Sequence, residues 1–509
     1  MQTMLQLLPA EIESPSAVKG VAWTIPAVTI RDEPRLAYRG FMQDICRHFV
    51  DKESLKKQLD ILAMYKINKF HWHLTDDQGW RIEIKKYPGL TQISSRRMEG
   101  EGYEYGPYFY TQEEVKEIVA YAKERFIEVI PEIEMPGHAV AALTAYPEFS
   151  CTGGPLQVRN LWGISSDIFC AGNDDTFGFL TDILDEVIPL FESEYFHIGG
   201  DEAPKLRWES CPKCQKRIKQ LGLRADDEFS AEEKLQSYFV NRLEKHLISR
   251  GRKLIGWDET LEGGLAPSAT VMSWRGEKGG IKSANMGHDA IMTPNDWLYL
   301  DNYQGDRKIL PACNRRDITL AKTYSYNPMP EAIEADKKHH IIGVQANSWA
   351  EYMYNVDIVQ WCVHPMLLAL SEVACTRLEN KDYSDFERRM DNQRVRLDMH
   401  GINYYVPVPQ DRGKPSCNRM LFTDVITIDL ETTEPMKIVY TTNGRDPGPK
   451  SKEYTVPLTF TANTTFKARS ITAGGRMGDI RTIEIVRSDA YKPATATTGQ
   501  GLEAAYYPG

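Results

Sequence analysis

The sequence predicts an α/β chain in which a (β/α)8, or TIM, barrel is followed by a small C-terminal β-sandwich. Three observations point there. Between about Leu36 and Asn403 short apolar runs alternate with amphipathic helical patterns, which is the signature of βα units and a parallel sheet. Eight of those runs read as buried strands, the number that closes a barrel. After about Pro409 the texture changes to short β-type runs with polar breaks, as in a two-layer β-domain.

In chain order, residues 1–35 hold one short helical patch, Met4 to Leu8, too little for a domain. Residues 36–408 are assigned to the barrel. Its strands are read at Leu36–Ile45, Asn68–Leu74, Phe126–Ile133, Tyr195–Gly199, Lys253–Trp257, Thr270–Trp274, Asp289–Met292 and Ile341–Ala346. Between them lie helices such as the one carrying Leu55, Leu59 and Leu62 on one face. Another starts at Thr111 with Glu114 three residues on, a capping box, and continues through Val115, Ile118, Val119 and Ala122. A doubly wound open sheet is the alternative, but no Gly-rich phosphate fingerprint follows any strand. Residues 409–490 read as the sandwich, with strands at Val425–Leu430, Met436–Thr441, Leu458–Phe460 and Thr464–Ile471; Pro457 places the third at its start or at an edge. Residues 491–509, rich in Thr, Ala and Gly, read as a loose tail.

Composition narrows the function. Of 509 residues, 42% are hydrophobic and 26% charged, enough apolar material for a large core. A net charge of -10 gives no basic footprint for nucleic acid. No run reaches the ~18 apolar residues of a membrane span. Met1 to Glu13 lacks a basic stretch followed by an apolar core, so no signal peptide is read there. Nine Cys over so long a chain do not make a disulfide scaffold. Cys211-Pro212-Lys213-Cys214 is a lone C-x-x-C; without a second pair at matching spacing it reads as a loop feature rather than a zinc site. The ten Trp and 25 Tyr would suit a sugar cleft, though most such rings serve core packing.

Barrel enzymes place chemistry at the C-terminal ends of their strands, and here those ends are heavily loaded. They carry His71-Trp72-His73 with Asp76-Asp77; Glu132, Glu134 and His138; and Asp201-Glu202. The later strands add Trp257-Asp258-Glu259, Trp274-Arg275, Tyr299 with Asp301, and Trp349 with Glu351. Adjacent carboxyls such as Asp201 and Glu202 are one way to raise a pKa for proton donation. Neighbours on a regular strand face opposite sides, so both reach one pocket only if the strand breaks, and Gly199-Gly200 is where it would. The alternative is a carboxylate capping a helix opened by Ala203-Pro204.

These residues together resemble glycoside hydrolase family 20, the β-N-acetylhexosaminidases. His197-x-Gly-Gly-Asp-Glu occurs in order with His71 to Arg81, Pro136-Gly137-His138, Gly256 to Glu259 and Ser273 to Gly276. The resemblance covers nearly all of the barrel and most of the C-terminal region, whose Tyr440 to Pro447 stretch is similar to the sandwich of chitobiase-like members. It implies an exo-acting, retaining hydrolase of β-linked N-acetylglucosamine or N-acetylgalactosamine at glycan ends, with the substrate's own acetamido oxygen as nucleophile and an oxazolinium intermediate. Glu202 would be the general acid/base, Asp201 would hold the acetamido group and Tyr299 would bond its oxygen. Asp76 and His138 would tune Glu202. Arg47, Asp301 and Glu351 would contact the ring hydroxyls, and Trp257, Trp274 and Trp349 would wall the pocket. No cofactor or metal is implied.

The sequence departs from the family at three places. Only the last helix of the usual N-terminal α/β domain is read, over Gln2–Glu13, so residues 1–35 are taken as its remnant and a linker. Cys46 stands where Ser is usual, and Cys375 where Trp is frequent. Two rivals are carried forward. A metal-dependent barrel hydrolase would use His71, His73, His138, His197 and Asp258; a non-catalytic sugar-binding protein would use the pocket alone. Family membership implies a periplasmic or secreted enzyme acting on a glycan or amino-sugar oligosaccharide, and a homodimer is compatible with it.

Overall fold

The computed structural model describes residues 2–100 and 102–488. The tail expected over 491–509 lies outside them, as do the last two residues of the expected sandwich. The chain divides into two compact units, the first running to Tyr405 apart from Lys308–Leu310, which group with Val406 onward in the second.

The first unit is a closed barrel of eight strands, neighbours in sequence being neighbours in space. They are β1 Tyr38–Asp44, β2 Lys69–His73, β3 Glu128–Glu132 and β4 Tyr195–His197, then β5 Lys253–Trp257, β6 Thr270–Ser273, β7 Ala290–Met292 and β8 Ile341–Ser348. All eight expected strands are present, six of them one to three residues shorter, β5 as expected and β8 two residues longer. Closure depends on Gly343, which pairs with Tyr38; a Cβ there would sit 2.1 Å from the Tyr38 carbonyl oxygen. Tyr38 Oη donates to Gln345 Oε1 at 2.8 Å, and Tyr38, Ile130, Ile255, Met272 and Ile291 fill the barrel interior beneath Trp257.

The helices form where the caps and apolar faces dictate. Helix α1 (Lys52–Met64) begins at Asp51, whose carboxylate accepts from the Glu53 and Ser54 N–H groups, and it buries Leu55, Leu59 and Leu62. Helix α2 (Gln112–Lys123) has the Thr111–Glu114 capping box. Helices α3 (Asp174–Val187), α4 (Pro212–Leu221) and α5 (Ala231–Ser249) follow, then α6 (Lys278–Asn285), α7 (Leu320–Ser325), α8 (Met366–Cys375) and α9 (Tyr383–Met399).

The expectation of a helix after every strand fails at β5. Only the 3-10 turn Asp258–Leu261 follows it, because Gly263 (φ +70°) and Gly264 (φ +117°) turn the chain back toward β6. The expected Gln2–Glu13 helix is likewise two pieces, Gln2–Gln6 and the 3-10 turn Ala10–Glu13, since Pro9 between them has no N–H to continue a helix. Arg396 anchors them, donating to Leu8 O at 2.7 Å and pairing with Glu13 at 3.1 Å. Among the described residues no single helix is long and apolar enough to cross a membrane.

The second unit has a five-stranded sheet ordered Arg419–Phe422, Arg481–Arg487, Thr464–Ile471, Lys437–Thr441, Lys452–Glu453. Ile426–Ile428 pairs with Leu458–Phe460 as a separate ribbon, and Phe422, Ile428, Ile438, Phe466 and Ile483 share one apolar core with it. The expected Val425–Leu430 strand divides at Asp429, its two halves pairing with different partners. Buried Arg481 ties the unit together, meeting Asp411 at 2.9 Å and Pro409 O at 3.2 Å.

Candidate active site

At the C-terminal end of β4 the chain leaves extended geometry. Gly199 and Gly200 take φ +72° and +94°, and Glu202 itself sits at +42°, a region that costs a residue with a Cβ. Glycine is required at 199, where a Cβ would lie 1.6 Å from Glu134 Oε2. The break lets Asp201 and Glu202 face the same cavity. His138, after β3, also has a left-handed φ of +48°. Its Nε2 lies 3.5 Å from Asp201 Oδ2 and 3.5 Å from Glu202 Oε2, so one imidazole bridges the pair.

Behind His138 stands a chain of charges. His138 Nδ1 is 3.2 Å from Asp76 Oδ1, and Asp76 Oδ2 meets Arg47 Nη1 at 2.9 Å and His73 Nε2 at 2.9 Å. Arg47 also donates to Gln78 Oε1 at 3.0 Å, and its guanidinium lies 5.2 Å from the Trp349 ring centroid. Burial would discharge Asp76, but Arg47 and His138 hold its carboxyl well below the usual range. Burial likewise opposes charge on His138, yet Asp76 and Asp201 hold it protonated well above its usual range. Asp201 goes the other way. Burial, moderated by His138, pushes its carboxyl up to about 6, and its Oδ1 has no partner within the protein.

The cavity holds about 240 Å³, and a second cavity of about 330 Å³ adjoins it at Glu202 and Trp274. Trp257, Trp274, Tyr299 and Trp349 wall it, with centroids 5.9 Å (Trp257–Trp349), 6.2 Å (Trp274–Tyr299) and 6.3 Å (Tyr299–Trp349) apart. The rings are fixed from outside. Trp257 Nε1 donates to Glu132 Oε1 and Trp274 Nε1 to Glu259 Oε2, both at 2.9 Å. Residues 298–300 pair with Asn347 on β8, which sets Tyr299 on the rim.

Of the residues singled out in the sequence, Arg47, His138, Asp201, Glu202, Trp257, Trp274, Tyr299, Trp349 and Glu351 line the cavity. Asp76 lies behind it, joining Arg47 to His138. Asp301 is set back as well, its Oδ2 accepting from Asn314 Nδ2 at 2.7 Å. Burial, with Glu351 nearby, raises the Asp301 carboxyl to about 8. Asn295, Asn302, Asn314 and Arg316 also line the cavity and were not anticipated. They come from loops after β7 with no periodic pattern; being polar near Trp297 and Tyr303 is the only signal for Asn295 and Asn302, and Asn314 and Arg316 have none.

Of the ligands named for a metal hydrolase, His73 and Asp258 are engaged, whereas His71, His138 and His197 each keep an Nε2 without a hydrogen-bond partner, and His71, Glu132 and His197 lie close enough together to share an ion. His73 meets Glu132 at 2.5 Å and Asp76 at 2.9 Å, one carboxylate on each ring nitrogen. Asp258 accepts from the Trp274 and Arg275 backbone N–H groups and from the Arg275 guanidinium. The C-x-x-C pair is not the loop feature expected: Cys211 caps α4, Cys214 lies in its first turn, and both meet Cys151 and Cys170.

The family model described as glycosyl hydrolase family 20, catalytic domain, matches residues 36–377, and that for the chitobiase/beta-hexosaminidase C-terminal domain matches residues 421–482. The chain is 54% identical over 486 residues to a beta-hexosaminidase of Porphyromonas gingivalis, covering 95% of this chain and 61% of the relative. A beta-hexosaminidase of Vibrio furnissii is 38% identical over 360 residues, 68% of this chain and 58% of the relative. The chain thus spans about three-fifths of the length of these curated relatives. The solved Vibrio harveyi exo β-N-acetylglucosaminidase, in complex with N-acetylglucosamine, superposes with a TM-score of 0.69 at 31% identity, covering 80% of this chain and 63% of that one.

Proposed function

Because the chain belongs to glycosyl hydrolase family 20, we propose that it is an exo-acting, retaining β-N-acetylhexosaminidase releasing terminal N-acetylglucosamine or N-acetylgalactosamine from glycans. The observation that carries this reading is the Asp201–Glu202 pair, bridged by His138 within 3.5 Å and enclosed by indole rings beside Tyr299.

In the reaction the substrate's acetamido oxygen attacks the anomeric carbon while the bond to the leaving oxygen breaks. Glu202 gives its proton to that oxygen. The ionised Asp201 accepts the acetamido N–H, and its partnerless Oδ1 is free to do so; its negative charge stabilises the oxazolinium that forms. The Tyr299 hydroxyl donates to the acetamido oxygen and aims it. Glu202, now a carboxylate, takes a proton from water as that water opens the ring, restoring the starting state with retained configuration. The indole walls exclude bulk water, which favours the amide oxygen as nucleophile and strengthens the local charges. Arg47 and Glu351, with Asp301 set behind them, take the ring hydroxyls.

The test compares aryl β-N-acetylglucosaminide with the plain aryl glucoside, with a thiazoline analogue of the oxazolinium as inhibitor. Hydrolysis of the N-acetyl sugar alone, blocked by the thiazoline and lost in Glu202→Gln, is the expected result. Equal hydrolysis of the glucoside overturns the acetamido mechanism. Binding of N-acetylglucosamine without turnover would favour the non-catalytic alternative.

A further inference from the structure

The C-x-x-C motif opens helix α4. Cys211 is its N-cap and Cys214 lies in the first turn. Cys151 and Cys170, at the two ends of a loop that follows β3, come to meet them. The sulfurs lie 3.8 Å (Cys151–Cys214), 3.8 Å (Cys170–Cys211) and 3.7 Å (Cys170–Cys214) apart, and all four fall within 4.8 Å of one another. Four thiolates placed tetrahedrally around zinc at ~2.3 Å have edges of about 3.8 Å. The cysteines are unbridged, and all but Cys151 are buried.

The surroundings fit a metal knuckle. Gly172 lies against its backbone: a Cβ there would sit 2.1 Å from the Lys213 carbonyl carbon and 2.3 Å from Cys214 N. A helix N-terminus adds a partial positive charge suited to thiolates.

We propose that Cys151, Cys170, Cys211 and Cys214 hold one structural zinc ion at a site separate from the substrate cavity. Four protein ligands leave no open position, so the ion does no chemistry. It closes the Cys151–Cys170 loop at both ends and fixes it on α4. That loop packs onto the catalytic segment. Arg159 donates to Asp77 O at 3.1 Å and to Asp77 Oδ2 at 3.2 Å, and Leu161 O accepts from Gln78 Nε2 at 2.9 Å. Gln78 in turn receives Arg47 Nε. The zinc therefore positions the backing of Arg47 and Asp76 without touching substrate. Sequence spacing hid the site, since Cys151 and Cys170 are far from each other and from the C-x-x-C pair.

The test is metal content of the purified full chain, grown with added zinc and handled without chelator. The expected results are one zinc per chain by mass spectrometry of the metal, an intact mass showing all cysteines reduced, and zinc release when a mercurial titrates the thiols. Cobalt in its place gives thiolate charge-transfer absorption. Cys214→Ser weakens zinc retention against a chelator by about 10- to 100-fold, and stripped protein is cut by protease within the Cys151–Cys170 loop. Should that variant not fold, the wild-type metal content and cobalt spectrum decide. Zinc-free protein overturns the proposal, whether its mass is short by the hydrogens of two disulfides or its four thiols react freely in the native state. None of these readings uses glycosidase activity, so either proposal can fail alone.

Discussion

Asp201→Asn separates two properties of one side chain: a charge that receives the substrate amide and a titration that sets when the charge exists. Asp201 is buried with a partnerless Oδ1, and burial lifts its carboxyl to about 6. Such a group is about one-tenth ionised at pH 5 and about nine-tenths at pH 7, the ratio of ionised to neutral form changing tenfold per unit. The reaction needs the ionised form, so activity is lost as pH falls. For an aryl N-acetyl-β-glucosaminide, log kcat/KM rises with unit slope up to about pH 6 and then levels. Asparagine keeps the shape and one acceptor oxygen but loses the charge. Removing a group aimed at charge developing in the transition state costs about 10²- to 10³-fold, and in the variant the limb near pH 6 disappears. Initial rates for both proteins across the pH range test this. A wild-type limb at the ordinary aspartate pKa, or a limb near 6 that survives the substitution, would refute the assignment of that titration to Asp201.

Glu202→Gln lowers kcat by about 10²- to 10⁴-fold, and less for aryl groups that leave readily; an equal loss for good and poor leaving groups would deny it the role of proton donor. Asp301→Asn tests the outer carboxylate through stability. With its carboxyl at about 8 instead of 3.8, folded Asp301 keeps a proton that the unfolded chain releases. The stability this contributes is complete below about pH 4 and lost as pH rises through about 8. The melting-temperature gap, variant minus wild type, therefore widens between those values and then flattens, whereas a gap independent of pH would mean ordinary ionisation. Gly199→Ala puts a Cβ at φ +72° against the Glu134 carboxylate and lowers stability by about 1–3 kcal/mol; an unchanged urea midpoint would contradict the left-handed backbone at that position.

The parts legible in the sequence are those with local causes. Every barrel strand is an apolar run bounded by turns, and the α2 capping box is written in four residues. The Gly-Gly-Asp-Glu break could be argued from strand alternation alone. What escaped depends on distant neighbours. Strands Arg419–Phe422 and Arg481–Arg487 pair in parallel across the 58 residues between them, a partnership that no local pattern announces. Asn314 and Arg316 reach the cavity from an irregular loop whose path is set by the pairing of Tyr303 with Asp317. Asp301 is legible as a carboxylate at a strand end, but only the fold brings Asn314 against it.

Four non-glycine residues among those described have left-handed φ: Lys66, Phe126, His138 and Glu202. The first two follow α1 and α2 and end them in the usual way, the chain N–H groups turning back to helix carbonyls, with Lys66 N on Ala63 O and Ile127 N on Ala122 O. Glycine would serve those places as well. His138 and Glu202 end no helix; each follows a barrel strand where a straight continuation would carry its side chain along the sheet. Their backbones hold about 1–3 kcal/mol of strain apiece. The two bends aim an imidazole and a carboxylate at each other across 3.5 Å, with Asp201 on the same imidazole. Around the cavity the strain thus falls on the residues that meet in it, and the barrel beneath is what keeps them from relaxing.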